Sequence, residues 1–214
     1  MAKIISVGNQ KGGAGKTTVS MNLAGYLAKN YKVLVADADE QASASKWNAQ
    51  AEDPGFPARV VGMHAAGAKL HRELQSLSAD YDFIIVDCPP SVSSPTPQSA
   101  FLVSDLVLIP TRPSILDIWE VQKTLDMVEK ARVVNDSIKV ALIVNALQPN
   151  TQLGRDSLEA LASFEAHLSK QPLHHRQAYA QSAVVGGTVA DISGAKAAQA
   201  EMQALHDEVL ALLG

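Results

Sequence analysis

The residues best equipped for chemistry fall in one run, Gly8-Asn9-Gln10-Lys11-Gly12-Gly13-Ala14-Gly15-Lys16-Thr17-Thr18. Gly12, Gly13 and Gly15 carry no Cβ, so the backbone can turn tightly and aim successive N–H groups at phosphate oxygens. A helix starting directly afterwards adds its positive end. Lys16 supplies a point charge for β- and γ-phosphates, and Thr17 a hydroxyl of the kind such loops place on Mg²⁺. Together they form a cradle for a nucleoside triphosphate. Asp37-Ala38-Asp39 and Asp87 each follow an apolar run, and carboxylates so placed coordinate hydrated Mg²⁺ or orient an attacking water. Lys11 lies too near the start of the loop to be its usual phosphate ligand. It is either a solvated surface charge or it reaches a nucleotide held elsewhere.

Short β-branched runs alternate with longer amphipathic ones. Strands are predicted near Lys3–Val7, Lys32–Ala36, Phe83–Val86, Asp105–Ile109 and Lys139–Val144, with helices between most of them. Continuous apolar runs such as Phe83-Ile84-Ile85-Val86 imply strands covered on both faces. The fold class is therefore α/β, a doubly wound, mostly parallel sheet flanked by helices, with ligands at the carboxyl ends of the strands. The cradle follows the first strand, Asp37 and Asp39 the second, Asp87 the third. The fifth delivers Asn145, which is either a base contact or a turn-forming residue before Gln148-Pro149-Asn150. From Leu153 onward the pattern is helical, interrupted at 172–176 and at Gly186-Gly187. The last helix carries one apolar stripe, Ala198, Met202, Leu205, Val209 and Leu212, which predicts docking on the core.

The pattern Lys11-Gly12-Gly13-x-Gly15-Lys16-Thr17-Thr18 resembles the deviant Walker A box of the ParA/MinD family of P-loop ATPases. Gln10 in place of the first glycine is similar to the ParA branch, where Asn-x-Lys-Gly-Gly is usual. The resemblance spans nearly the whole chain. It implies that Gly12 to Thr18 hold ATP, that Lys11 crosses a dimer interface to the partner's nucleotide, and that Lys11, Lys16 and Asp39 serve catalysis. The segment at Asp37 resembles switch I, with Asp39 handling the hydrolytic water and Glu40 where proline is common. Asp87 resembles the Walker B aspartate, so the implied Mg²⁺ set is Thr17, Asp37 and Asp87. The proline-rich stretch after Asp87 resembles switch II, and Asn145 matches an asparagine that reads the adenine edge. Arg176 to Ser182 loosely resembles the family's Arg-x-Ala-Tyr segment beside the nucleotide.

Composition narrows the functions open to the chain. A length of 214 residues, 47% of them hydrophobic and 19% charged, suits a single domain over residues 1–214. The formal charge of −4 argues against a surface coated for tight nucleic-acid binding. Any DNA affinity must come from converging cations, for which Arg155, Lys170, Arg176 and Lys196 are the candidates. Lys123, Lys130 and Arg132 read as the solvated face of their helix. Cys88 is the one cysteine, too few for the cluster of the nitrogenase iron proteins, which share the lysine signature, and no leader precedes Ile4. A cytoplasmic location is expected. His174-His175 lacks a third ligand at metal spacing. The last turns carry Asp207 and Glu208 and no basic residue after Lys196, unlike the basic membrane helix of the MinD branch. The start leaves no room for a helix-turn-helix extension.

The resemblance thus implies a ParA-type ATPase that forms an ATP-dependent homodimer, binds nonspecific DNA of the nucleoid and positions a cargo. That cargo would be a plasmid, a chromosome or a protein body such as a carboxysome or chemoreceptor cluster. Hydrolysis would be stimulated by a ParB-like or cargo-adaptor protein. The alternative is a metabolic or maturation enzyme of the same fold acting on a small substrate.

Overall fold

The computed structural model describes residues 1–90 and 94–214. Among them, eight strands form one sheet: β1 (Lys3–Val7), β2 (Val33–Asp37), β3 (Arg59–Gly62), β4 (Phe83–Asp87), β5 (Leu106–Thr111), β6 (Lys139–Leu147), β7 (His167–Leu168) and β8 (Leu173–His174). The order is β3-β2-β4-β1-β5-β6-β7, with β8 also paired to β6, and every registered pair is parallel. Eight α-helices accompany it among the described residues: α1 (Lys16–Leu27), α2 (Ser43–Asn48), α3 (Leu70–Leu77), α4 (Thr96–Phe101), α5 (Ile115–Arg132), α6 (Gln152–Ala162), α7 (Gln177–Val184) and α8 (Lys196–Leu213).

Alternation along the strands divides the core into two layers. Ile5, Val7, Val33, Val35, Ile85, Leu106, Leu108 and Ile143 pack with α1, α2 and α8 on one face. Ile4, Leu34, Ala36, Ile84, Val86, Val107, Ile109 and Leu142 pack with α3, α4, α5 and α6 on the other. The chain leaves β1 for β2 on one side of the sheet and returns through β4 to β5 on the other. This reversal opens a crevice at the carboxyl end of β1, where the cradle lies.

All five expected strands are present, some longer than expected; beyond Leu153, β8 falls in the interruption expected at 172–176, whereas β7 corrects the helix expected before it. In α8 the buried apolar set is Ala198, Met202, Leu205, Val209 and Leu213, with Leu212 only partly buried, and Glu201 and His206 are buried with them. Part of the stretch resembling switch II, residues 91–93, lies outside the described residues.

The turn after α7 is pressed against the end of α2. Gly186 has φ +65°, and a Cβ there would lie 2.1 Å from the backbone N of Ala51. The neighbouring Gly187 carbonyl accepts the Trp47 indole N–H at 2.9 Å. Gly186→Ala therefore pits backbone against backbone in a conformation that L-residues avoid. It should cost about 3 kcal/mol and lower the melting temperature by roughly 6–12 °C. A variant melting within about a degree of the parent would show that the two segments separate freely.

Candidate nucleotide site

Between β1 and α1 the loop is built to close tolerance. Gly15, immediately before α1, has φ +96°, and a Cβ on it would lie 1.9 Å from Asn145 Nδ2. Glycine is thus required by conformation and by space. Asn9 registers the loop to its neighbouring strand: its Nδ2 donates to the Pro110 carbonyl at 2.7 Å, and its Oδ1 accepts the Lys11 N–H at 2.9 Å. Asn145 donates from Nδ2 to the Ala14 carbonyl at 2.9 Å. It lies within β6, so the turn-forming reading is corrected; Ala146 and Asn150 are the residues with positive φ there.

Lys16, the first residue of α1, is buried, and its Nζ donates to the Lys11 carbonyl at 3.1 Å. Burial pulls its pKa below the ordinary lysine value, against the opposing pull of Asp87, Cys88 and Asp39. Asp87 is 1% exposed. Thr17 Oγ1 donates to its Oδ2 at 2.7 Å and Ser20 Oγ to its Oδ1 at 2.9 Å. Burial is the main force pushing this carboxyl up to about 7, with Asp37 adding to it and Thr17, Ser20 and Lys16 working against it. A buried carboxylate beside a threonine hydroxyl is a hard-oxygen pair of the kind Mg²⁺ takes, and a bound cation would relieve the cost of its charge. Cys88 is buried, and burial pushes its thiol pKa up, so it is a packing residue and not a nucleophile.

The buried Oδ2 of Asp37 accepts both the backbone N–H and the hydroxyl of Ser45, each at 2.7 Å. Asp37 thereby holds the N-terminal turn of α2, whose free N–H groups require an acceptor. Asp39, two residues on, is half-buried and faces the cleft, with Oδ1 accepting the Gln41 N–H at 2.9 Å.

Gly15, Lys16, Thr17, Asp39 and Asn145 line a cleft of about 720 Å³ that runs from Gly13 to β8 and α7. Lys11 is not among the residues lining it, and its side chain makes no hydrogen bond or ion pair to the described residues. Two features of the cleft escape sequence reasoning. Arg112, beyond β5, places its guanidinium 3.8 Å from where a Gly13 Cβ would be; the only signal is its place after a strand end. Glu201 of α8 gathers His174, Arg176 and Tyr179, which also line the cleft. An acid on the apolar face of that helix is a signal that can be read.

Residues 5–189 match the family described as the CobQ/CobB/MinD/ParA nucleotide binding domain. The chain belongs to that family. Its members bind nucleotide, and ATP hydrolysis is the activity of the ParA/MinD branch. Among relatives, the maintenance of carboxysome distribution protein A of Halothiobacillus neapolitanus is 28% identical over 207 residues, 96% of this chain and 95% of that protein. The chromosome-partitioning ATPase Soj of Thermus thermophilus is 28% identical, over 97% of this chain and 95% of its own. A Cyanothece McdA variant solved as its ATP complex shares the fold with a TM-score of 0.79 at 17% identity, covering 98% of this chain and 96% of its own. Among the described residues, no helix is long and apolar enough to cross a membrane.

Proposed function

We propose that the chain is a positioning ATPase. It holds Mg·ATP in the cleft, pairs with a second copy over the bound nucleotides, binds DNA without sequence preference in that paired state, and is returned to the monomer by partner-stimulated hydrolysis. The observation that carries this reading is that Gly13, Gly15, Lys16, Thr17 and Thr18 line the cleft while Lys11, in the same loop, does not. Such a cation is available to a nucleotide held by a second copy across a two-fold interface. At the same end of the sheet, the start of α5 exposes Ile115, Leu116 and Trp119 at 54%, 55% and 61%, apolar surface of the kind that pairing covers.

Gly12 to Thr18 would seat the phosphates, Thr17 and Asp87 would hold Mg²⁺, and Asp39 would orient the attacking water, with Asn145 at the base. The cation polarises the γ-phosphate when bound; the chain's part is to keep the Thr17 hydroxyl and the Asp87 carboxylate side by side. Relatives named for carboxysome distribution and chromosome partitioning, matched over nearly their whole length, support a cargo moved over the nucleoid through a ParB-like or adaptor partner. Arg176 leaves the expected DNA patch, because its guanidinium is bound to Glu201 at 2.7 and 2.8 Å. Arg155, Lys170 and Lys196 remain exposed.

The test uses Asp39→Ala, which should keep ATP binding and slow turnover by a factor of about 10² or more, since only the transition state loses an interaction. Filter retention of DNA by this variant should require ATP, ignore sequence and fall steeply with salt through counterion release. Retention that is nucleotide-independent or insensitive to salt would sink the reading in favour of a small-substrate enzyme.

A further inference from the structure

Opposite the phosphate loop, the wall of the cleft is organised around one carboxylate that does not itself line it. Glu201, in the second turn of α8, is 5% exposed. Its Oε1 accepts from Arg176 Nε at 2.8 Å and Nη2 at 2.7 Å and lies 2.8 Å from His174 Nδ1. Its Oε2 accepts the Tyr179 hydroxyl at 3.0 Å and the His174 backbone N–H at 3.3 Å. Burial pushes the Glu201 carboxyl up, but the bonds from Arg176, His174 and Tyr179 outweigh it and hold the group below the usual carboxylate range. Burial and the adjacent carboxylate push the Tyr179 phenol up, so it stays a donor.

Along α8 the neighbouring inward positions are Ala198, Met202 and Leu205, and an apolar residue at 201 would satisfy packing alone. A buried carboxylate is retained at a desolvation cost, and each donor it gathers loses freedom. All three side chains it gathers face the cleft. Gly13 to Thr18 account for the phosphates at the other end, so the nucleoside is what remains to meet this wall. A guanidinium, a phenol and an imidazole are planar groups suited to stacking on a base and to bonding a ribose.

We propose that Glu201 is a positioning residue for the nucleoside end of the cleft, fixing Arg176, His174 and Tyr179 in the orientation in which they meet base and ribose. The proposal rests on the reading of the Gly13–Thr18 loop as the phosphate seat.

Calorimetric titration of ATP and of inorganic tripolyphosphate separates the two ends. Glu201→Gln keeps the shape and one acceptor but withdraws the charge that orients Arg176. It should weaken ATP about tenfold while leaving tripolyphosphate within about twofold of the parent. Glu201→Gln combined with Arg176→Ala should bind ATP no more weakly than Arg176→Ala alone, because the two act as a unit. Tyr179→Phe, which removes only a hydroxyl, should show the same selectivity at smaller size and serves if Glu201→Gln fails to fold. Unchanged ATP affinity, or equal losses for both ligands, would overturn the role of Glu201 by reducing it to a tie between α8 and β8. A parent protein that bound neither ligand would overturn the phosphate seat, and the proposal with it.

Discussion

Lys16→Ala is expected to weaken ATP binding by about a hundredfold or more, the loss of a charge-assisted contact to a polyanion in a water-poor site. The folded protein should survive the change. Lys16 makes one hydrogen bond, to the Lys11 carbonyl, and burial already opposes its charge, so removing it takes away a desolvation cost along with that bond. The parent should gain thermal stability with ATP in proportion to the logarithm of ligand over Kd, and the variant should gain none at the same concentration. Calorimetry and a melting curve, each with and without nucleotide, report both halves. Parental affinity in the variant would mean that the loop is not the phosphate seat.

Lys11→Ala should do the opposite: nucleotide binding within about threefold of the parent, but no ATP-dependent dimer. The main-chain atoms of residue 11 do the local work, accepting from Lys16 Nζ and donating to Asn9 Oδ1, and alanine keeps them. What is lost is a cation delivered to a second copy, comparable in kind to an arginine finger supplied in trans. Light scattering after size exclusion, with ATP and Mg²⁺ on an Asp39→Ala background, reads the mass directly. A dimer that persists without the lysine would return Lys11 to the status of a surface charge.

The loop, the central strands and the Thr17–Asp87 pair were legible in the sequence because their signals are local. The glycine-rich loop that opens at Gly8 follows an apolar strand at once, and Asp87 ends another. β3 was not legible because its residues are exposed or half-exposed at the sheet edge, leaving no continuous apolar run to mark it. β7 and β8, of two residues each, are too short to show a period. The tie of Asp37 to Ser45 was not legible, because a carboxylate after a strand looks the same in sequence whatever it meets; only the path of the chain into α2 shows this partner. Arg112 reaches the cleft, and Glu201 the residues that line it, by tertiary packing, across separations that no spacing rule covers.

The double anchoring of α2 constrains how the ATPase can move. Its first turn is tied to Asp37 through Ser45, and its far end is wedged by Gly186 and tied through Trp47 to Gly187. Asp39 therefore rides on a tether of five residues, 38–42, fixed at both ends. Small adjustments of its carboxylate are absorbed within that tether. A larger stroke must either snap the Ser45 bonds or haul α2 along as a rigid bar, and the turn joining α7 to the last helix would travel with it.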